Sequence, residues 1–170
     1  MKYFAYGSNM SMSRLRERVP SAECLGCFTL KQHDLRFHKL SKDGSSKCDA
    51  FYTGDEGHLI LGRLFEIQPS DKPALDRAEG LGNGYDEKTV IVHAADVSPV
   101  EATTYFATAI DENLKPYSWY VNHVLVGARE MSFPDEYVQS RISTVESIQD
   151  EDEARDSRER ARSEERRVGK

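Results

Sequence analysis

The sequence predicts an α+β domain built on a mixed, curved or barrel-like β-sheet with flanking helices. Three observations carry this expectation. Five or more short segments rich in aromatic and β-branched residues are separated by Gly-, Pro- and Ser-containing breaks. One amphipathic segment, 70–78, interrupts them, and helical spacing takes over only after Pro116. The 170 residues suit one compact domain with an appendage.

Residues 2–6 are an aromatic, apolar run suited to a buried strand, broken by Gly7-Ser8-Asn9, which favour turns. A short helix is expected around 12–18, ended by Pro20. Loose alternation from 22 to 38, with Cys24, Phe28, Leu30, Leu35 and Phe37 apolar, reads as one long bent strand or two shorter ones. A surface loop follows at 42–46. Residues 50–53 and 59–67 read as a strand pair joined through Gly54-Asp55-Glu56-Gly57. Ser70 is the expected N-cap of the next helix, with Pro73 in its first turn and Gly80, Gly82 and Gly84 ending it. Residues 89–94 and 101–108 read as two further strands. Pro116 opens a helix with Tyr120, Val121, Val124, Leu125 and Ala128 at helical spacing. Pro134 opens another, with Tyr137, Val138 and Ile142 facing inward.

Composition narrows the function classes. No apolar run approaches the ~18 residues needed to span a bilayer. The opening MKYFAYGSNM turns polar too early for a signal-peptide core, and three cysteines make an odd number, so reduced thiols and a cytoplasmic location are expected. A net charge of −6 supplies no general drive toward nucleic acid. Residues 150–170 hold 15 charged residues in 21 and no apolar stripe. That predicts a boundary between a domain at 1–149 and a charged tail that is disordered or a solvated helix. Truncation after Gln149 is then expected to be nearly silent. An appended remnant around 163–170 is a second reading of its end.

Several constellations fall away on detail. Cys24-Leu25-Gly26-Cys27 has CxxC spacing, but positions i and i+3 of a strand face opposite sides, and no further ligands stand nearby; buried strand cysteines are expected. His33, His38, His58, His93 and His123 show no ligand spacing, so no metal site is expected. Gly80-Leu81-Gly82-Asn83-Gly84 fails the GxGxxG pattern at Tyr85 and follows a helix instead of preceding one. Its glycines suit an unusual backbone path close to a ligand. Two features remain. Tyr6-Gly7-Ser8-Asn9 is either an ordinary strand-to-helix turn or a nest of backbone N–H groups for a carboxylate or oxyanion. Glu79, four residues after Leu75, is either a solvated helix-end carboxylate or one that points inward.

Together, YFAYGSNM, LDRAEGLGNGY and Tyr120-x6-GAREMSFPDEY resemble the γ-glutamylcyclotransferase family (γ-glutamylcyclotransferase-like or AIG2-like fold), in order, over roughly residues 2–145. The resemblance implies cyclisation of a γ-glutamyl group: the substrate's own α-amine attacks its γ-amide carbonyl, releasing 5-oxoproline and an amino acid or amine. It implies Glu79 as the general acid/base, and Tyr6, Gly7, Ser8 and Asn9 as the loop that holds the glutamyl part. Tyr85, Tyr105 and Tyr120 are implied as pocket tyrosines that contact substrate. No cofactor and no metal are implied. The expected partner is a small γ-glutamyl substrate, not nucleic acid or a membrane, with a homodimer as a further expectation. A non-catalytic small-ligand module of the same fold, and a γ-glutamylamine- or glutathione-specific enzyme, are the alternatives. Among nearby carboxylates, Asp71, Asp76 and Glu87 are expected to be silent when neutralised.

This reading makes a direct prediction. The purified protein releases 5-oxoproline from a γ-glutamyl dipeptide at a rate unchanged by EDTA. Activity lost to the chelator and restored by zinc would overturn metal-free chemistry.

Overall fold

The structure, a computed structural model, describes residues 1–168, with side chains to 163. Strand β1 (Lys2–Ala5) lies at the centre of a five-stranded sheet of order β2-β5-β1-β7-β6. It pairs antiparallel with β5 (Leu59–Glu66), Phe4 opposite Leu64, and parallel with β7 (Val100–Ala107), Tyr3 opposite Thr103. Its last three residues are buried, as a strand covered on both faces requires. β2 (Glu23–Lys31) pairs with β5, and β6 (Tyr85–Val92) with β7, so β2 and β6 form the two edges. These edges meet through one bridge, where Thr29 and His93 exchange N–H···O bonds of 2.7 and 2.9 Å. The sheet is therefore strongly curved but not closed into a barrel.

The segment 22–38 resolves into two strands, β2 and β3 (His33–Leu40), with the chain reversing at Gln32, whose φ is +62°. β4 (Ser46–Tyr52) pairs with β3 as a separate two-stranded sheet, correcting the expected pairing of 50–53 with 59–67. Two local arrangements decide this. At the β3–β4 turn Gly44 takes a positive φ of 83°, and Asp43 Oδ1 accepts from the N–H and hydroxyl of Ser45. Beyond β4, the N–H groups of Thr53 and Gly54 donate back to Gln32 O, which takes the connection away from a tight hairpin. β5 is then free to fill the gap between β1 and β2. Its Gly62 has no side chain because a Cβ there would stand 2.4 Å from Phe4 Cζ.

Helix α1 (Met12–Arg18) has the expected bounds. α2 (Lys72–Glu79) follows a 3-10 turn at Pro69–Asp71, so Ser70 lies inside that turn and Asp71, not Ser70, is the residue before the helix. α3 (Ser118–Glu130) packs its Trp119, Tyr120, Val124 and Ala128 into the core, and α4 (Asp135–Val138) continues as a π-helical turn over Gln139–Ser143. No helix among the described residues is long and apolar enough to cross a membrane. Cys24 and Cys27 are exposed and only Cys48 is buried, correcting the expectation of buried strand cysteines; a bulge between Cys24 and Gly26 turns this end of the edge strand outward.

The tail also needs correction over its described part. Residues Glu153–Val168 form α5, which docks instead of lying free in solvent. Trp119 Nε1 donates to Asp150 Oδ2 at 2.9 Å, Arg155 closes on the same carboxylate, and His123 Nε2 donates to Glu159 Oε2 at 2.8 Å. Arg14 of α1 stands 3.6 Å from Glu159. A helix without an apolar stripe thus docks by satisfying buried polar groups on α3, each of which would cost free energy unpaired. The final residues, 169–170, lie outside the described part.

Two predictions follow from this packing. Truncation after Gln149 strips the partners from Trp119 and His123 and should cost about 3 kcal/mol, or roughly 10 °C in Tm by calorimetry. An unchanged Tm would show that the docking is energetically empty. Gly127→Ala should cost about 1–3 kcal/mol in denaturant unfolding, because its Cβ would stand 2.6 Å from Met10 Cβ.

Candidate active site

The turn after β1 brings the N-terminal motif to the mouth of the curved sheet. Ser8–Met10 form a single 3-10 turn, whose first N–H groups have no carbonyl behind them within the turn. Gly7 lets this turn lie close to its neighbours: a Cβ would stand 3.1 Å from Cys48 Cβ and 3.5 Å from the Tyr120 hydroxyl. From the other side, Gly127 allows α3 to approach Met10 and Ser11 backbone to backbone.

Glu79 is the last residue of α2, which stops because Gly80 adopts the left-handed conformation (φ 73°, ψ 42°). Its carboxylate points inward. Tyr3 Oη donates to Glu79 Oε1 at 3.1 Å, and the Asn9 amide Nδ2 donates to the same oxygen and, at 3.2 Å, to Tyr3 Oη. Arg18 Nη1 donates to Asn9 Oδ1 at 2.9 Å, which forces the NH2 end of the amide toward the carboxylate. Burial pushes the Glu79 carboxyl above the ordinary glutamate range; the positive charges of Arg18, Arg14 and Lys39 and the Tyr3 hydrogen bond offset part of that rise.

Glu79, Tyr6, Gly7, Ser8, Asn9, Tyr85, Tyr105 and Tyr120 all line one small cavity of about 30 Å³, together with Tyr3 and Cys48. Three tyrosine hydroxyls tie its walls together. Tyr6 donates to Tyr105 O at 2.6 Å, Tyr85 to Cys48 O at 2.5 Å, and Tyr105 to Asp76 Oδ1 at 2.6 Å. Tyr120 Oη accepts from the Cys48 N–H at 3.0 Å. The Cys48 thiol is pushed up to about 12 by burial, so it is uncharged at neutral pH and no nucleophile. Among the described residues no cluster of three or more His, Cys, Asp or Glu side chains could hold a metal ion.

Sequence reasoning missed Tyr3, Cys48, Arg18 and Asp76. Tyr3 read as a strand residue; the inward face of β1 was the signal that could have found it. Asp76, expected to be silent when neutralised, accepts from the Tyr105 hydroxyl and also pairs with Lys72.

Residues 59–140 match the model of the AIG2-like family. The γ-glutamylcyclotransferase of Bos taurus is 28% identical over 151 residues, covering 85% of this chain and 78% of that protein. The Homo sapiens γ-glutamylcyclotransferase is 28% identical over 148 residues with the same coverage. A solved structure of a γ-glutamyl cyclotransferase superposes with a TM-score of 0.82 at 24% identity, over 95% of this chain and 98% of its own. An uncharacterized Homo sapiens protein superposes at 0.77 and 26% identity, over 86% and 88%.

The electrostatics of the site are testable without any substrate. Arg18 stabilises the charged form of Glu79, so Arg18→Met should raise the Glu79 pKa further. A carboxyl-carbon NMR titration of both proteins reads this directly; an unmoved or lowered pKa would contradict the charge assignment.

Proposed function

We propose that this chain, a member of the γ-glutamylcyclotransferase family, cyclises a γ-glutamyl amino acid or amine to 5-oxoproline with Glu79 as general acid/base. The observation that supports this reading most is the inward carboxylate of Glu79, held by Asn9 and Tyr3 against the turn that carries Gly7 and Ser8.

The chemistry asks for three things. The α-amine is an ammonium at neutral pH and must lose a proton before it attacks. Its nitrogen then bonds to the γ-carbonyl carbon, and the amide C–N bond to the leaving amine breaks. That amine must receive a proton as it departs. A carboxyl raised by burial serves these transfers: it accepts the ammonium proton and delivers it to the departing nitrogen. The second proton, shed by the attacking nitrogen as it becomes the lactam N–H, leaves with the released amine as its ammonium. Nucleophile and electrophile lie in one molecule, so the remaining task is to fold the glutamyl chain into a five-membered geometry. The aromatic walls from Tyr6, Tyr85, Tyr105 and Tyr120 suit that task. The N–H groups of Gly7, Ser8 and Asn9 lie at the start of a helical turn, a position suited to the carbonyl oxygen as charge develops on it. The exposed thiols of Cys24 and Cys27 fit a reducing cytoplasm.

Glu79→Gln keeps the shape but cannot take the ammonium proton. Turnover, read as 5-oxoproline release, should fall by roughly 10²–10⁴-fold with the fold intact by circular dichroism. Asp71→Asn should stay near the parent rate. A folded Glu79→Gln protein within about threefold of the parent, a barrier change of only ~0.7 kcal/mol, would remove Glu79 from this role.

A further inference from the structure

The hairpin of β3 and β4 carries a lysine that enters the catalytic reading only as a distant charge on Glu79. Lys39 is 8% exposed, while its neighbour Leu40 is 45% exposed, the reverse of what their side chains prefer. The inversion comes from a bulge in β3 between Phe37 and Lys39, which places both His38 and Lys39 inward. His38 is accounted for by Asp49, 2.7 Å away. Lys39 is not. Its Nζ stands 4.6 Å over the ring of Tyr85, and among the described residues no carboxylate or hydrogen-bond acceptor reaches it. Opposite it in the ladder is a second cation, Lys47, but that one is paired with Asp43 at 3.3 Å.

Lys39 buries its stem and is stabilised as a cation only at a distance, by the carboxylates of Glu79 and Asp43, with no direct acceptor partner among the described residues. The surroundings are nevertheless shaped to keep it. At Gly84, where φ is +107°, a Cβ would stand 2.8 Å from Lys39 Cε and 3.1 Å from Nζ, so the glycine loop after α2 makes room for this side chain. Lys39 does not line the enclosed cavity around Glu79; it stands on the Tyr85 ring that walls it. If the glutamyl head occupies the cavity beside Glu79, the far end of the substrate leaves past that wall.

Resting on the cyclotransferase reading, we propose that Lys39 receives a carboxylate on the leaving group. The site then favours γ-glutamyl amino acids over γ-glutamylamines that lack that carboxylate. The residue acts on specificity and takes no part in proton transfer.

Two substrates differing only in that carboxylate test this: γ-glutamylalanine and γ-glutamylethylamine. Lys39→Met should raise KM for γ-glutamylalanine roughly 10- to 100-fold, the effect of losing one charge-assisted hydrogen bond, and leave KM for γ-glutamylethylamine unchanged. Any change in kcat from the lost charge near Glu79 falls equally on both substrates. Lys39→Arg should restore part of the loss. An equal loss on both substrates would place Lys39 on the glutamyl carboxylate and overturn the specificity role. A fall in kcat on both, with a shifted pH profile and no difference in KM between the two substrates, would leave Lys39 only its charge effect on Glu79 and overturn it as well. No change on either substrate would do the same. If the parent protein turns over neither compound, the cyclotransferase reading fails by itself. Calorimetric binding of γ-glutamylalanine to Glu79→Gln, with and without Lys39→Met, then still decides whether Lys39 holds the carboxylate: weaker binding in the double variant supports it, and equal binding overturns it.

Discussion

The carboxylate of Glu79, bound by the amide of Asn9 and the hydroxyl of Tyr3, is the contact on which the rest of the site depends. A carboxylate taken out of water needs donors, and here both come from the first strand and the turn that ends it. The amide alone would not guarantee a donor, since either end could face the acid. Arg18 removes that freedom by taking the oxygen end. A carboxylate on α2, an amide on the 3-10 turn and a guanidinium on α1 thus form one chain of polar contacts, and none of its members acts independently of the others. Their arrangement in turn needs two glycines at close approaches. Gly7 and Gly127 serve by what they lack, letting β4 and α3 close on the turn.

The tyrosines around this contact are wall fasteners as much as ligands. Tyr6, Tyr85 and Tyr105 each spend the hydroxyl proton on a protein oxygen, joining β1 to β7, β6 to β4 and β7 to α2. The Tyr120 hydroxyl instead accepts, from the Cys48 N–H. Burial within this pocket keeps the Glu79 carboxyl above its ordinary range. The β3–β4 hairpin completes the enclosure from outside the main sheet, and its bulge turns two polar side chains toward the interior.

α5 shows how an element with no hydrophobic face can still belong to a domain. Its Glu159 and the preceding Asp150 accept from the ring nitrogens of His123 and Trp119 on α3, and Arg14 of α1 stands by the same Glu159. α1 and α3 are the two helices that flank the 3-10 turn at Ser8–Met10. The charged C-terminal helix therefore braces the supports of the site without touching the site.

The α+β class, the bounds of α1 and the strand order in sequence were legible from the chain, because each rests on local pattern: apolar runs, glycine punctuation, helical spacing. The grouping of the YGSN turn with Glu79 came only from motif likeness to a known family. Motif likeness supplied the eight candidate residues that the fold then brings to one cavity. What only the tertiary structure decided depends on partners distant in sequence. The pairing of β4 with β3 instead of β5 turns on bonds from Thr53 and Gly54 back to Gln32. The docking of α5 turns on buried polar atoms of α3 that read as ordinary core positions. The parts played by Tyr3, Arg18 and Lys39 turn on which face of an element meets which other, and a bulge that moves Lys39 inward leaves no trace in hydrophobic alternation. Local propensity is written residue by residue along the chain; the compensation of a buried charge is a property of neighbours in space, and only the folded molecule supplies them.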